Sequence, residues 1–266
     1  MTIVMGVLNV TPDSFSDGGR HDDAETAVAH GRLLASQGAG IVDVGGESTR
    51  PGAARVPEAE EMARVIPVIA ALAAHGITCS VDTMRASVAR AAVAAGARIV
   101  NDVSGGLADP GMLGAVADLG VDYVAMHWRG HSEVMQQHTD YTDVVADVAA
   151  ELAARRDAAL AAGIAAERII LDPGIGFAKT SEQNWQLLRG LDILQAMGHR
   201  LLVGVSRKRF LGELLDGRPA TDRDAATAAV TTWCSLHGIW AVRTHEVPAQ
   251  RDAARVGWRL GARAAG

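Results

Sequence analysis

Eight short runs rich in β-branched and aliphatic residues recur along this chain, and their spacing limits the folds open to it more than any other feature. They span Ile3–Asn9, Gly40–Gly45, Ile77–Asp82, Arg98–Asp102, Val121–His127, Arg168–Asp172, Leu201–Val205 and Trp240–His245. Most gaps hold alanine-rich segments with helical periodicity, such as Ala24–Gln37, Glu58–His75, Ser87–Ala95, Tyr141–Ala162 and Thr221–Leu236. Each gap is long enough for the crossover that parallel neighbours require. Gly38, Gly76, Gly96, Gly163 and Gly238 each follow an apolar-periodic run, where a residue without Cβ takes the left-handed conformation that ends a helix. Strands with continuous apolar interiors, alternating with helices, predict an α/β fold: a single-domain (β/α)8 TIM barrel over residues 1–266 rather than an open doubly wound sheet. No linker or low-complexity segment divides the chain.

With 48% hydrophobic and 21% charged residues, the chain can bury a large core without disulfides or structural metals. Cys79 and Cys234 stand far apart with no ligand-like spacing, so both are expected to be buried, reduced thiols. A net charge of −6 argues against nucleic acid or a membrane surface as a partner, because neither polyanion is attracted by that overall field. No run approaches the roughly 18 apolar residues that span a bilayer, and the N-terminus lacks a secretory pattern. The expected location is the cytoplasm.

Barrel active sites form at the C-terminal ends of the strands, and there polar residues accumulate: Asn9, Asp43, Asp82, Asn101 with Asp102, His127, Asp172, Ser206 with Lys208, and Arg243 with His245. A capping Asp or Asn is common at any one such position, but not at nearly all of them. Asp82, Asn101 and Asp172 offer acceptors and an amide pair, which suit a heterocycle with a guanidine-like edge, and Lys208 adds a point charge for a ring acceptor. First and last strands are neighbours in a closed barrel, so Asn9, Arg243 and His245 should meet. Together with Arg50 they outline an anion site, where arginine forks match phosphate oxygens and Asn9 can share a phosphate-held Mg²⁺. Two segments rich in Gly, Pro, Ser, Asp and Arg exceed ordinary barrel loops, Val10–Asp22 after strand one and Glu47–Pro57 after strand two. They are expected to be mobile and functional.

The segment Met5–Gly19, MGVLNVTPDSFSDGG, resembles the first signature of the dihydropteroate synthases, and Asp43–Gly52, DVGGESTRPG, resembles the second. Further matches follow in order at Ser80–Thr83, Asn101–Gly106, Met126–His127, Asp172–Lys179, Ser206–Phe210 and Arg243–His245. The resemblance covers nearly the whole chain. It departs at Arg209, where some relatives carry serine, and at Glu246, where relatives often carry Asp.

The resemblance implies an enzyme that joins 6-hydroxymethyl-7,8-dihydropterin pyrophosphate to p-aminobenzoate, by an SN1-like substitution that releases pyrophosphate. Asp82, Asn101, Asp172 and Lys208 would hold the pterin, with Val103, Met126, Phe177 and Gly204 shaping its slot. Asn9, Arg50, Arg243 and His245 would take the pyrophosphate, with Asn9 beside Mg²⁺. Phe15, Thr49, Pro51 and Phe177 would form the p-aminobenzoate pocket, Asp17 would close over it, and Ser206 with the helix starting near Arg209 would receive the carboxylate. Asp82, Asp172, Lys208, Asp17 and Arg50 are the expected catalytic residues. Sulfonamide inhibition and a homodimer through outer helices are also implied. Two other readings are a pterin-dependent methyltransferase, which needs no cationic cluster, and a non-catalytic pterin-binding paralogue.

Overall fold

The first and last strands of the chain lie side by side, and their pairing closes the sheet. A computed structural model describes residues 1–11, 20–47, 55–131 and 137–261. Strands β1 (Ile3–Asn9), β2 (Ile41–Gly45), β3 (Cys79–Asp82), β4 (Ile99–Asp102), β5 (Asp122–Met126), β6 (Ile169–Asp172), β7 (Arg200–Val203) and β8 (Ala241–Thr244) run parallel in sequence order as a closed barrel. Pairing of Ile3 with Ala241 and Met5 with Arg243 completes it.

Helices α1 (Arg20–Gln37), α2 (Glu58–Ala74), α3 (Ala86–Ala94), α4 (Met112–Leu119), α5 (Val144–Ala161), α6 (Ser181–Arg189), α7 (Leu191–Gln195), α8 (Arg209–Leu214), α9 (Asp224–Leu236) and α10 (Pro248–Gly261) form the crossovers and the outer ring. Local chemistry sets several ends. The Asp143 carboxylate accepts the Val145 and Ala146 N–H groups at the start of α5, and Thr180 with Gln183 forms a reciprocal capping box on α6. The five glycines expected to end helices all have positive φ. Because α1 begins at Arg20, the first long connection ends earlier than the expected Asp22; α2 begins at Glu58, as expected.

Strand alternation divides the apolar side chains into two clusters. One set packs outward against the helices. The other, Met5, Ile41, Ile99, Val124, Ile170, Leu202 and Ala241, fills the barrel interior as a plug. Both cysteines are free and buried, and burial pushes their thiols up to about 11 for Cys79 and about 12 for Cys234, so they are poor nucleophiles. Among the described residues, no helix is long and apolar enough to cross a membrane.

Candidate active site

One strand period above the plug, at the next inward-facing positions, stand Val7, Asp43, Asn101, Met126, Asp172, Gly204 and Arg243. All but Asp43 line a cavity of about 660 Å³ at the C-terminal end of the barrel, joined by Asn9, Val103, Phe177, Ser206, Lys208, Arg209 and His245. Parity corrects two members of the expected ring, and burial a third. Asp43 lies two residues before the end of β2 and is fully buried. Asp102 and His127 fall one residue out of phase with Asn101 and Met126, and their side chains serve the barrel's outer side. Asp102 accepts from the Ser104 and Gly106 N–H groups and the Tyr123 hydroxyl, fixing the turn after β4. His127 bonds Glu151 on α5 through Nε2 (2.9 Å) and meets Lys179 Nζ at Nδ1 (3.0 Å).

Charge is arranged as a chain across the barrel floor. Asp43 Oδ2 accepts from Arg243 Nε at 2.6 Å and from Asn101 Nδ2 at 3.0 Å, while Arg243 Nη2 donates to Asp82 Oδ2 at 2.8 Å. The sequence sorted Asp82 with the pterin and Arg243 with the anion, but here the two are paired, and Asp82 is not among the residues lining the cavity. Burial raises the Asp82 pKa against the opposing charge of Arg243. It works against the Arg243 charge too, but Asp43 and Asp82 more than offset it and the guanidinium pKa is raised.

Across the cavity, Asp172 Oδ1 accepts the Gly174 N–H at 2.7 Å; among the described residues its Oδ2 has no donor. Burial raises the Asp172 pKa, with Lys208 opposing. Lys208, lowered to about 8 by burial, donates to the Ile175 carbonyl and holds its ammonium 4.5 Å from the Phe177 ring centre. The turn between them requires glycine. At Gly174, φ is +64° and a Cβ would fall 2.5 Å from the His127 carbonyl oxygen; at Gly176, φ is +83° and a Cβ would meet Lys208 Cδ at 2.8 Å.

One carboxylate, an amide and an ammonium thus line the same cavity as a guanidinium and an imidazole. Residues 5–245 match the model of the pterin-binding enzyme family. The chain is 54% identical to the dihydropteroate synthase of Mycobacterium leprae, over 95% of this chain and 91% of that one. It belongs to the dihydropteroate synthases. Among solved structures, the Xanthomonas albilineans dihydropteroate synthase with 4-aminobenzoic acid superposes with a TM-score of 0.92 at 48% identity, covering 98% of this chain and 94% of that one. The Yersinia pestis dihydropteroate synthase in a sulfonamide drug complex gives 0.91 at 40% identity, covering 97% and 94%.

Not every expected residue of this synthase is brought together in the described structure. Phe15, Asp17, Thr49, Arg50 and Pro51 lie outside the described residues. Ser206 lines the cavity, yet its Oγ is within hydrogen-bonding distance of the His245 N–H (3.2 Å), His245 Nδ1 (3.0 Å) and Thr244 Oγ1 (3.2 Å), which ties β7 to β8. Arg209 is largely exposed, faces Glu213 at 3.3 Å and starts a helix of six residues, so α8 offers only a short dipole. Sequence reasoning missed Asn184, which accepts the Gly176 N–H at 2.6 Å, and Lys179; both line the cavity. A signal for Lys179 exists in composition: of 25 basic residues only those at 179 and 208 are lysines, the other 23 being arginines.

Proposed function

We propose that this dihydropteroate synthase condenses 6-hydroxymethyl-7,8-dihydropterin pyrophosphate with p-aminobenzoate to give 7,8-dihydropteroate and pyrophosphate. One observation carries the assignment of roles: Asn101, Asp172 and Lys208 line the same cavity as Asn9, Arg243 and His245, so a pterin edge and an anion have partners at neighbouring points. Asp172, one of whose carboxylate oxygens lacks a protein donor among the described residues, takes the guanidine-like edge; Asn101 and Lys208 supply the complementary amide and cation. Met126, Val103 and Gly204 bound the ring, and Phe177 contributes to both the pterin slot and the p-aminobenzoate pocket. Asp82 joins when Arg243 exchanges its carboxylate partner for the pyrophosphate.

The C–O bond to pyrophosphate breaks ahead of full attack by the aromatic amine, so positive charge develops on the pterin methylene. Asp172 and Asp82 stabilise that charge, while Arg243, His245 and Arg50 neutralise the leaving group. Among the described residues no cluster of three His, Cys, Asp or Glu could cage a metal. Asn9 would stand beside a Mg²⁺ held mainly by phosphate oxygens and water, and the ion would supply charge neutralisation. Asp17, Phe15, Thr49 and Pro51 complete the site from the two long loops, and Ser206 with Arg209 receives the p-aminobenzoate carboxylate. Sulfonamides compete at that pocket, a reading supported by the drug complex of the Yersinia relative. The working form is a cytoplasmic homodimer.

The test is pyrophosphate release from the purified protein given the pterin pyrophosphate and Mg²⁺, with and without p-aminobenzoate. Release coupled to dihydropteroate formation is expected. Pterin binding without coupled product would instead indicate a non-catalytic paralogue. The cationic flank of the cavity already weighs against a methyltransferase, which has no anion to stabilise.

A further inference from the structure

The turn after β6 is wound around two ammonium groups. Residues Gly174, Gly176 and Ala178 all have positive φ, at 64°, 83° and 49°. Ala178 is buried and carries a Cβ, so it keeps a left-handed conformation only because its surroundings hold it there. The holding groups are side-chain donors. Lys179 Nζ donates to the Gly174 and Phe177 carbonyls at 3.1 and 3.0 Å, Lys208 Nζ donates to that of Ile175, and the Tyr141 hydroxyl donates to that of Ala178 at 3.0 Å.

Lys179 is 1% exposed and has no carboxylate within ion-pair distance among the described residues. Its third partner is His127 Nδ1, which leaves the imidazole to bond Glu151 on α5 through Nε2. The groups facing it are His127 at the end of β5, Arg129 just beyond, Tyr141 before α5, Glu151 on α5, Asp172 on β6 and Lys208. Burial, with the Lys208 charge adding to it, lowers Lys179 to about 7, while Asp172 opposes. Its charge therefore rests largely on carbonyl dipoles, and a compact ammonium places three donors on one atom where a planar guanidinium cannot. In a chain that uses arginine at 23 of its 25 basic positions, both lysines grip this turn.

We propose that Lys179 is a positioning residue for the synthase reaction: it holds the turn 174–178 in the shape that sets Asp172 and Phe177 against the pterin, and through His127 it ties that turn to α5. The proposal rests on the synthase reading above. Lys179→Met leaves the Gly174 and Phe177 carbonyls and His127 Nδ1 without their donor. In a variant shown by its melting curve to be folded, KM for the pterin pyrophosphate is expected to rise roughly tenfold or more while kcat changes less than about threefold. Lys179→Arg, which keeps the charge but not the geometry, is expected to fall short of wild type. An unchanged KM in folded Lys179→Met, or full restoration by arginine, overturns the proposal. If Lys179→Met does not fold, the wild-type enzyme still decides. Lysine labelled with ¹³C gives one resonance per site in this chain, and Lys208→Met assigns them. The Lys179 resonance is expected to shift on saturation with the pterin pyrophosphate, and a resonance that ignores the ligand overturns the proposal. Wild-type protein that releases no pyrophosphate would overturn the synthase reading instead, so the two failures are distinct.

Discussion

Asp172 commits one carboxylate oxygen to the Gly174 N–H, and among the described residues the other has no protein donor, so the proposed role can be separated from the structural bond. Asp172→Asn retains an oxygen for Gly174 but loses the charge and one acceptor. kcat/KM for the pterin pyrophosphate is expected to fall on the order of a hundredfold, as a charge-assisted, transition-state contact is removed. Steady-state kinetics with wild-type values would remove Asp172 from the site. His127 shows the opposite kind of residue, polar and near the mouth yet structural. Its imidazole, ordinarily at 6.5, is lowered to about 4, first by burial and then by Lys179. A folded pKa below the unfolded one means that the native state binds fewer protons. The stability contributed by neutral His127 is therefore complete above about 6.5 and is lost as pH falls toward 4, on the order of 3 kcal/mol. Glu151, held down to about 2 chiefly by the bond from His127, stays charged across that window. Denaturant titrations at pH 7.5 and 4.5 should show a steeper acid loss for wild type than for His127→Gln. Equal losses would mean that His127 titrates freely.

At the scale of elements, the turn after β6 stores its strain at identifiable positions. Gly174→Ala places a Cβ 2.5 Å from the His127 carbonyl oxygen at φ +64°, and is expected to destabilise by about 2 kcal/mol or more and to weaken pterin binding. Ala178→Gly relieves a left-handed alanine but frees the unfolded chain, so its net effect is expected to stay within about 1 kcal/mol. Equal melting temperatures for the two variants would show that the turn is not held as described. The strands and their order were legible because apolar runs with glycine stops report local geometry directly. The candidate site was legible where its residues share strand parity with the plug, as Asn101 with Ile99 and Asp172 with Ile170. It was misread where strand ends were used in place of parity and depth: one residue of phase sends His127 and Asp102 outward, and Asp43, two residues before the end of β2, is fully buried. The pairing of Arg243 with Asp43 and Asp82 joins residues up to 200 positions apart, which no local pattern encodes. Lys179 was hidden for a related reason, because two of its three partners are backbone carbonyls, which carry no side-chain signature, and the third, His127, lies 52 positions away.

The whole molecule has a side remote from this chemistry. Helices α9 and α10 pack so closely that a Cβ at Gly257 would come within 2.4 Å of the Thr232 carbonyl oxygen, and one at Gly261 within 2.8 Å of that of Leu236. These two helices carry Trp233, Leu236, Val256, Trp258 and Leu260, five of the eleven large exposed apolar side chains among the described residues. None of these residues lines the active-site cavity, so association and catalysis can be tested apart. A homodimer through this pair predicts a sedimenting species of about twice 27.7 kDa at micromolar concentration. Val256→Asp with Leu260→Asp puts two carboxylates into the contact, where desolvation without a partner is costly, and should shift the protein to monomer. Because the barrel floor is built from β1 to β8 and the turns above them, kcat/KM of that monomer should stay within about threefold of wild type. A wild-type monomer, or a double variant that remains dimeric, would move the interface elsewhere. A monomer that folds but loses its activity would mean that the partner helices hold the α9–β8 side of the site in place.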